Sequence, residues 1–290
     1  MTATCRVVVL TFNCEGIINE TLAQARRIDP RPFVVDSFSS DATLQQIGVE
    51  AEVVQRAFSN YAEQRNWAIA QMNALASWQL HLDADEVLDD EAVAAIQHVL
   101  QAGNAAPQRA YLLRRIDYFM GRRLRHSGLN PWHLRLFRSG EGACEQRLYD
   151  QHFVSSQPAG RLGGCMHDKN TVSLHDWTSR HNRWSDLEVA EMLGAHPAQP
   201  AAPTAVGTTP PQRLHGSLRG DPRERTRWLK ALYYRLPSGL RALAYFFYRY
   251  VFRLGFLDGR EGLYFAFLQG LWFRLLVDAK MHEARQADRR

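Results

Sequence analysis

The sequence predicts an α/β fold: a mostly parallel sheet with helices on both faces, followed by a helical, aromatic-rich basic segment. Three observations predict it. Through the first hundred residues, short β-branched runs alternate with stretches of helical period. From residue 109 the pattern turns to strand, turn and strand. Residues 226–282 then hold 15 of the chain's 31 Trp, Tyr and Phe, interleaved with arginines.

The elements follow in order. "CRVVVLTF" (5–12) reads as a strand, and "GIINETLAQARR" (16–27) puts Ile17, Ile18, Thr21, Leu22 and Ala25 on one helical face. "PFVVDS" (32–37) is a second strand, "DATLQQIG" (41–48) a short helix, "EAEVVQ" (50–55) a third strand and "NYAEQRNWAIAQMNALA" (60–76) a longer helix. "WQLHLD" (78–83) is the fourth strand. "DDEAVAAIQHVLQAG" (89–103) is a helix with acids in its first turn and Gly103 near its end. Strands separated by helices imply right-handed βαβ units. Two strands around Gly121 (109–126), another over 132–139, a short one over 161–168 and a helix over 173–193 complete the first unit, residues 1–193. Residues 194–223, rich in Pro, Ala, Gly and Thr, read as a flexible linker. Residues 224–290 form the C-terminal segment.

A chain of 290 residues with 46% hydrophobic and 22% charged residues has ample sequence for a core. Its four cysteines show no regular spacing, which argues against a zinc site or disulfide framework and for a reducing compartment. The first residues lack the pattern of a signal peptide. Net charge is +5, but residues 219–290 carry 15 Lys/Arg against 7 Asp/Glu, so one end faces an anionic partner.

Ligands of an open parallel sheet bind beyond the carboxyl ends of the strands. After the first strand come Thr11, Asn13 and Glu15; after the second, Asp36, Ser37 and Asp41; after the fourth, Asp83, Ala84 and Asp85. Carboxylates converging on one edge repel unless a cation sits among them. Hard oxygen donors suit Mg²⁺ or Mn²⁺, whose other ligands are commonly substrate phosphates. The competing reading of the Asp83–Glu91 stretch is a solvated acidic loop in which Asp89 caps the next helix. His167 in "GGCMHDKN" is a candidate further ligand.

"VVVLTFNCEG", "VVDSFSSDAT", "EQRNWAIAQ" and "LHLDADEVLDDE", in that order, resemble family 2 glycosyltransferases of the GT-A fold, a Rossmann-like architecture. The likeness is to the bacterial branch that builds lipopolysaccharide core and other surface glycans. It implies that Thr11, Asn13 and Glu15 contact the nucleoside, and that Asp36 bonds the base, usually uracil, with Ser37 and Asp41 close by. It also places Arg65 and Asn66 near the nucleotide and sugar, and makes Asp83 and Asp85 the metal- and diphosphate-binding pair. The implied reaction is inverting transfer from a nucleotide-sugar, a UDP-sugar, to a hydroxyl of a lipid-linked or lipopolysaccharide acceptor. Such a reaction needs a carboxylate base. "ACEQRLYDQHF" lacks the family's adjacent Glu-Asp pair; Asp150 is the first candidate and Glu145 the second, and the alternative for Asp150 is a loop acid paired with Arg147 or His152.

The longest charge-free run of the tail, residues 262–273, is too short for the ~20 residues of a bilayer span. Arg241, Arg249, Arg253 and Arg274 suit headgroup level, so the segment is expected to attach peripherally to the cytoplasmic face of the inner membrane, and no nucleic acid is expected. Two other functions remain to be weighed. A sugar nucleotidyltransferase needs a Gly-rich phosphate loop after the first strand, where only Gly16 occurs. An RNA- or membrane-binding scaffold leaves the gathered carboxylates unexplained.

Overall fold

The structure is a computed structural model that describes residues 3–169, 172–194 and 213–287. Four strands, β1 (Cys5–Thr11), β2 (Phe33–Asp36), β3 (Glu52–Gln55) and β4 (Trp78–Asp83), lie parallel in the order β3-β2-β1-β4. They are linked by α1 (Ile18–Ala25), α2 (Thr43–Ile47) and α3 (Tyr61–Met72). β5 (Glu86–Leu88) and α4 (Asp90–Ala102) follow. Then come β6 (Ala110–Phe119), β7 (Arg122–Arg123), β8 (Trp132–Arg138), β9 (Gly142–Cys144), β10 (Phe153–Ser155) and β11 (Ala159–Asp168). The sheet continues β4-β8-β6-β11-β5, with β6 and β11 parallel and the other pairs on this side antiparallel. This is the GT-A arrangement the sequence led us to expect.

Alternation along β1 decides which helix covers which face. Val7 and Val9 pack with Ile18 and Leu22 of α1 and with Val93 and Ile96 of α4. Val8 points the other way, onto Ala68 and Met72 of α3. α4 starts where expected because Asp89 accepts the Ala92 N–H at 2.8 Å, so its capping role is real. Three short strands were not legible in advance. β5 was hidden inside the acidic run, and β9 and β10 are three residues each and pair only with one another.

α5 (Leu174–Met192) joins the sheet to the C-terminal helices α6 (Pro222–Tyr233), α7 (Leu240–Phe247), α8 (Gly259–Phe265) and α9 (Phe273–Ala287). π-helical segments, Tyr248–Phe252 and Ala266–Trp272, extend α7 and α8. Residues 195–212 of the expected 194–223 linker lie outside the described residues. The tail packs on α5 and the sheet: Val189 meets Phe273, Val277 and Met281, while Phe119 and Trp177 meet Phe265. Its arginines turn inward, which corrects the expectation that they face headgroups. Arg241 donates to Asp278 at 3.0 Å, Arg274 pairs with Glu188 at 3.3 Å, and Arg253 donates to the Gly128 carbonyl at 3.0 Å. Arg249 is fully buried against the Ser127 carbonyl and the Phe265 ring. Among the described residues no helix is long and apolar enough to cross a membrane.

Candidate functional site

The carboxyl ends of β1 and β2 carry two loops stitched together by side chains. The Ser39 hydroxyl accepts the Asn13 N–H at 2.9 Å, and Asn13 Oδ1 accepts the Ser40 N–H at 2.8 Å. Glu15 accepts the Ala42 N–H at 2.8 Å, and Asp41 accepts the Glu15 N–H at 3.1 Å and the Thr43 N–H at 3.0 Å. The Ser37 N–H donates to the Thr11 carbonyl at 2.9 Å. The predicted nucleoside residues are therefore brought together.

Asp36, expected to bond the base, closes β2. It is fully buried, and its oxygens accept from Thr11 Oγ1 (3.1 Å), Gln55 Nε2 (3.1 Å), the Ser39 N–H (2.9 Å) and the Ser39 hydroxyl. A carboxylate offers about four lone-pair sites, and four donors fill them. These hydrogen bonds outweigh burial and hold its pKa below the ordinary carboxylate value. Asp36 thus fastens the loop and holds Phe38 at φ +62°, leaving Phe38 and Phe12 exposed at the rim.

At the end of β4, Asp83 accepts Arg65 Nη2 at 2.8 and 3.0 Å and Arg135 Nη2 at 3.2 Å. Against the penalty of burial, the two guanidiniums hold its carboxyl far below the usual range. Arg135 also pairs with buried Glu86, which accepts the Asp83 N–H at 3.0 Å, and Phe153 lies under both guanidiniums. Sequence reasoning missed Arg135 and Glu86; the one faint signal was an arginine at an inward position of the strand 132–139. Asn66 is also structural: its amide donates to the Cys144 carbonyl at 2.8 Å and accepts the Cys144 N–H at 2.7 Å, pinning β9 to α3.

Asp85 is the acid of the Asp83-Ala84-Asp85 triplet whose charge is not neutralised. Burial, then the charges of Asp83 and Glu86, push its pKa up to about 6. Thr21 donates to the Ala84 carbonyl at 2.6 Å and so fixes the turn. The second carboxyl of raised pKa is Asp168, at the end of β11. Burial and then the charge of Asp85 raise it to about 7, with Arg115 3.5 Å away. Asp168 Oδ1 is buried with no hydrogen-bond partner. His167, its neighbour on the strand, faces the opposite side, where Nδ1 meets the Tyr118 hydroxyl at 3.2 Å and Nε2 lies 3.6 Å from Asp89. It is not brought to Asp85. Among the described residues no group of three His, Cys, Asp or Glu side chains forms a ready metal centre. Two half-buried, mutually repelling carboxyls do fit a hard divalent cation whose remaining ligands are phosphate oxygens.

Neither base candidate is free. Asp150 lies 3.2 Å from Lys230 and 3.4 Å from His152. Despite burial, Lys230 and His152 hold its pKa well below the carboxylate value. Glu145 is fully buried, takes both Arg227 nitrogens at 2.8 Å and accepts the His152 N–H at 3.0 Å. Both anchor the tail to the sheet. His181 of α5 is stacked on Trp177 at 3.5 Å.

The model of glycosyl transferase family 2 matches residues 6–154, just over half of the chain. No curated protein matches. Among solved structures, residues 1–349 of S. aureus TarS align at 17% identity over 98% of this chain and 91% of that one, with a TM-score of 0.41. Glucosyl-3-phosphoglycerate synthase from Mycobacterium tuberculosis, in complex with Mn²⁺, UDP and phosphoglyceric acid, aligns at 17% over 40% of this chain and 43% of its own, with a TM-score of 0.31. A 4-diphosphocytidyl-2C-methyl-D-erythritol synthase aligns at 21% over 47% and 75%, with a TM-score of 0.34. These structural likenesses are too distant to carry an argument about substrate. The family match runs from β1 into β10 and covers the loops that follow β1, β2 and β4, though not β11: the chain belongs to glycosyl transferase family 2.

Proposed function

We propose that the protein is an inverting glycosyltransferase that moves a sugar from a UDP-sugar to a hydroxyl of a lipid-linked glycan of the cell envelope, such as a lipopolysaccharide. The observation that carries the reading is the pair Asp85 and Asp168. Two half-buried carboxyls with pKa values raised to about 6 and about 7 stand on the sheet edge that bears the stitched loops. Those residues would hold Mg²⁺ or Mn²⁺. A divalent cation there supplies charge neutralisation for the departing diphosphate. The chain's own groups do the rest. Thr11, Asn13, Glu15, Ser37 and Asp41 shape the nucleoside loops, and exposed Phe12 and Phe38 offer apolar faces to a base. Arg65 and Arg135 clamp Asp83, so the turn bearing Asp85 keeps its position when phosphate charge enters. The tail attaches the protein peripherally to the cytoplasmic face of the inner membrane, where a lipid-linked acceptor is presented.

Incubation with UDP-, GDP- and ADP-sugars, with and without Mn²⁺, tests the reading. Release of UDP from a UDP-sugar only when the metal is added is the expected result. Turnover of none of them, or equal release without metal, would count against it.

A further inference from the structure

α7 is built inside out. Arg241 and Ala242 are buried and Arg249 is fully enclosed, while Leu240, Leu243, Phe247, Tyr248, Val251 and Phe252 are exposed. Their spacing, i, i+3, i+7, i+8, i+11 and i+12, is a continuous helical stripe that runs from α7 through its π-helical extension. Phe252 is 77% exposed. The next turn adds exposed Leu254, Phe256 and Leu257, and α8 adds Leu263 and Tyr264. Beside them, Phe119, Met120, Leu174, Tyr264, Phe267 and Leu268 line a hollow of ≈ 260 Å³. Water is a poor solvent for a surface of this composition, and large exposed apolar patches mark interaction sites.

Charge decides the occupant. Among the described residues between Pro222 and Tyr264 no acidic side chain is exposed: Glu224 and Glu261 are half-buried and Asp258 is buried. Arg225, Arg235 and Arg260 are exposed in the same span, and Arg122 and Arg123 are exposed on the β6–β7 hairpin, where Arg122 lies 3.3 Å from Glu261. An apolar centre with a cationic rim complements an anionic lipid monolayer. It does not complement itself, since a two-fold pairing would bring like charges together.

We infer that this face, the outer stripe of α7 with the 254–257 turn and the start of α8, inserts into the headgroup and upper acyl layer of an anionic lipid surface. The inference rests on the membrane reading above and names the side chains and the mode. Attachment comes from apolar insertion, with the exposed rim arginines assisting, and not from the inward-turned Arg241, Arg249 and Arg274.

Flotation of the full chain with vesicles tests it. Phosphatidylcholine vesicles containing phosphatidylglycerol should carry the protein, and raising salt from about 0.1 to about 1 M, which shortens the screening length from ~10 to ~3 Å, should leave most of it bound. Phe252→Glu and Leu257→Glu, both at exposed positions, should each weaken binding about tenfold or more. Val49→Glu, at a 92% exposed apolar residue far along the chain, should not. Unaltered binding by Phe252→Glu and Leu257→Glu would overturn the inference. So would complete release by salt, absence of vesicle binding, or a dimer in sedimentation that Phe252→Glu dissolves. Metal-dependent UDP release by the same preparation would stand in each of those cases, so failure here is separable from failure of the transferase reading.

Discussion

Asp85 and Asp89 stand four residues apart in one acidic run and do different work. Asp85 carries an unneutralised charge at the sheet edge, whereas Asp89 caps α4 and accepts the Cys165 N–H at 3.0 Å. Asp85→Ala should therefore lower metal-dependent transfer by about 10²–10³-fold with little change in stability. Asp89→Ala should cost about 1 kcal/mol of stability and leave turnover within a few fold. Sugar release and urea unfolding of both variants separate the two. Asp150→Asn should keep transfer within about tenfold of the parent in a steady-state assay, because a carboxylate neutralised by Lys230 is a poor proton acceptor; loss of a true base costs about 10²–10⁴-fold. Residue types at the strand ends were readable from the sequence, but their states were not. Asp36, Asp83, Asp150 and Asp168 look alike as letters. They differ in whether hydroxyls, two guanidiniums, an ammonium or a single guanidinium at one oxygen meets the carboxyl, and those partners come from up to about 80 positions away.

At the scale of elements, the turn of β11 positions Asp168. The register of β11 against β6 shifts between Arg161 and Cys165, and Gly163 and Gly164 occupy the shift. Gly164 has φ +74°, and a Cβ there would meet the Ala92 nitrogen at 2.1 Å. A side chain would clash with the first turn of α4, so Gly164→Ala should destabilise the fold by about 3–5 kcal/mol, measured by denaturant unfolding. Long elements with a clear period, such as β4, α4 and α5, matched their expected bounds to within a residue or two. β5 was missed because three residues cannot show a period, and its letters, Glu86-Val87-Leu88, begin with an acid that Arg135 and the Asp83 N–H make tolerable in the interior.

For the whole molecule, the sheet edge and the tail form one assembly. Glu145 and Asp150 lie between β9 and β10 but pair with Arg227 and Lys230 of α6, so the segment expected to supply a base instead fastens the C-terminal helices. The order of strands and helices was legible because it follows from local period. The inward turn of the tail's arginines was not, since composition counts charges without saying which way they face. The central claim is that Asp85 and Asp168 bind a nucleotide diphosphate through a divalent cation. Calorimetric titration of UDP into the protein, with and without Mn²⁺, tests it most directly. Both carboxyls must lose protons before a cation can bind, and they stand near pKa 6 and 7. UDP should therefore bind only with Mn²⁺, more tightly at about pH 8 than at about pH 5.5, and not at all in Asp168→Asn. Equal UDP affinity without metal, unchanged in Asp85→Asn and Asp168→Asn, would contradict it.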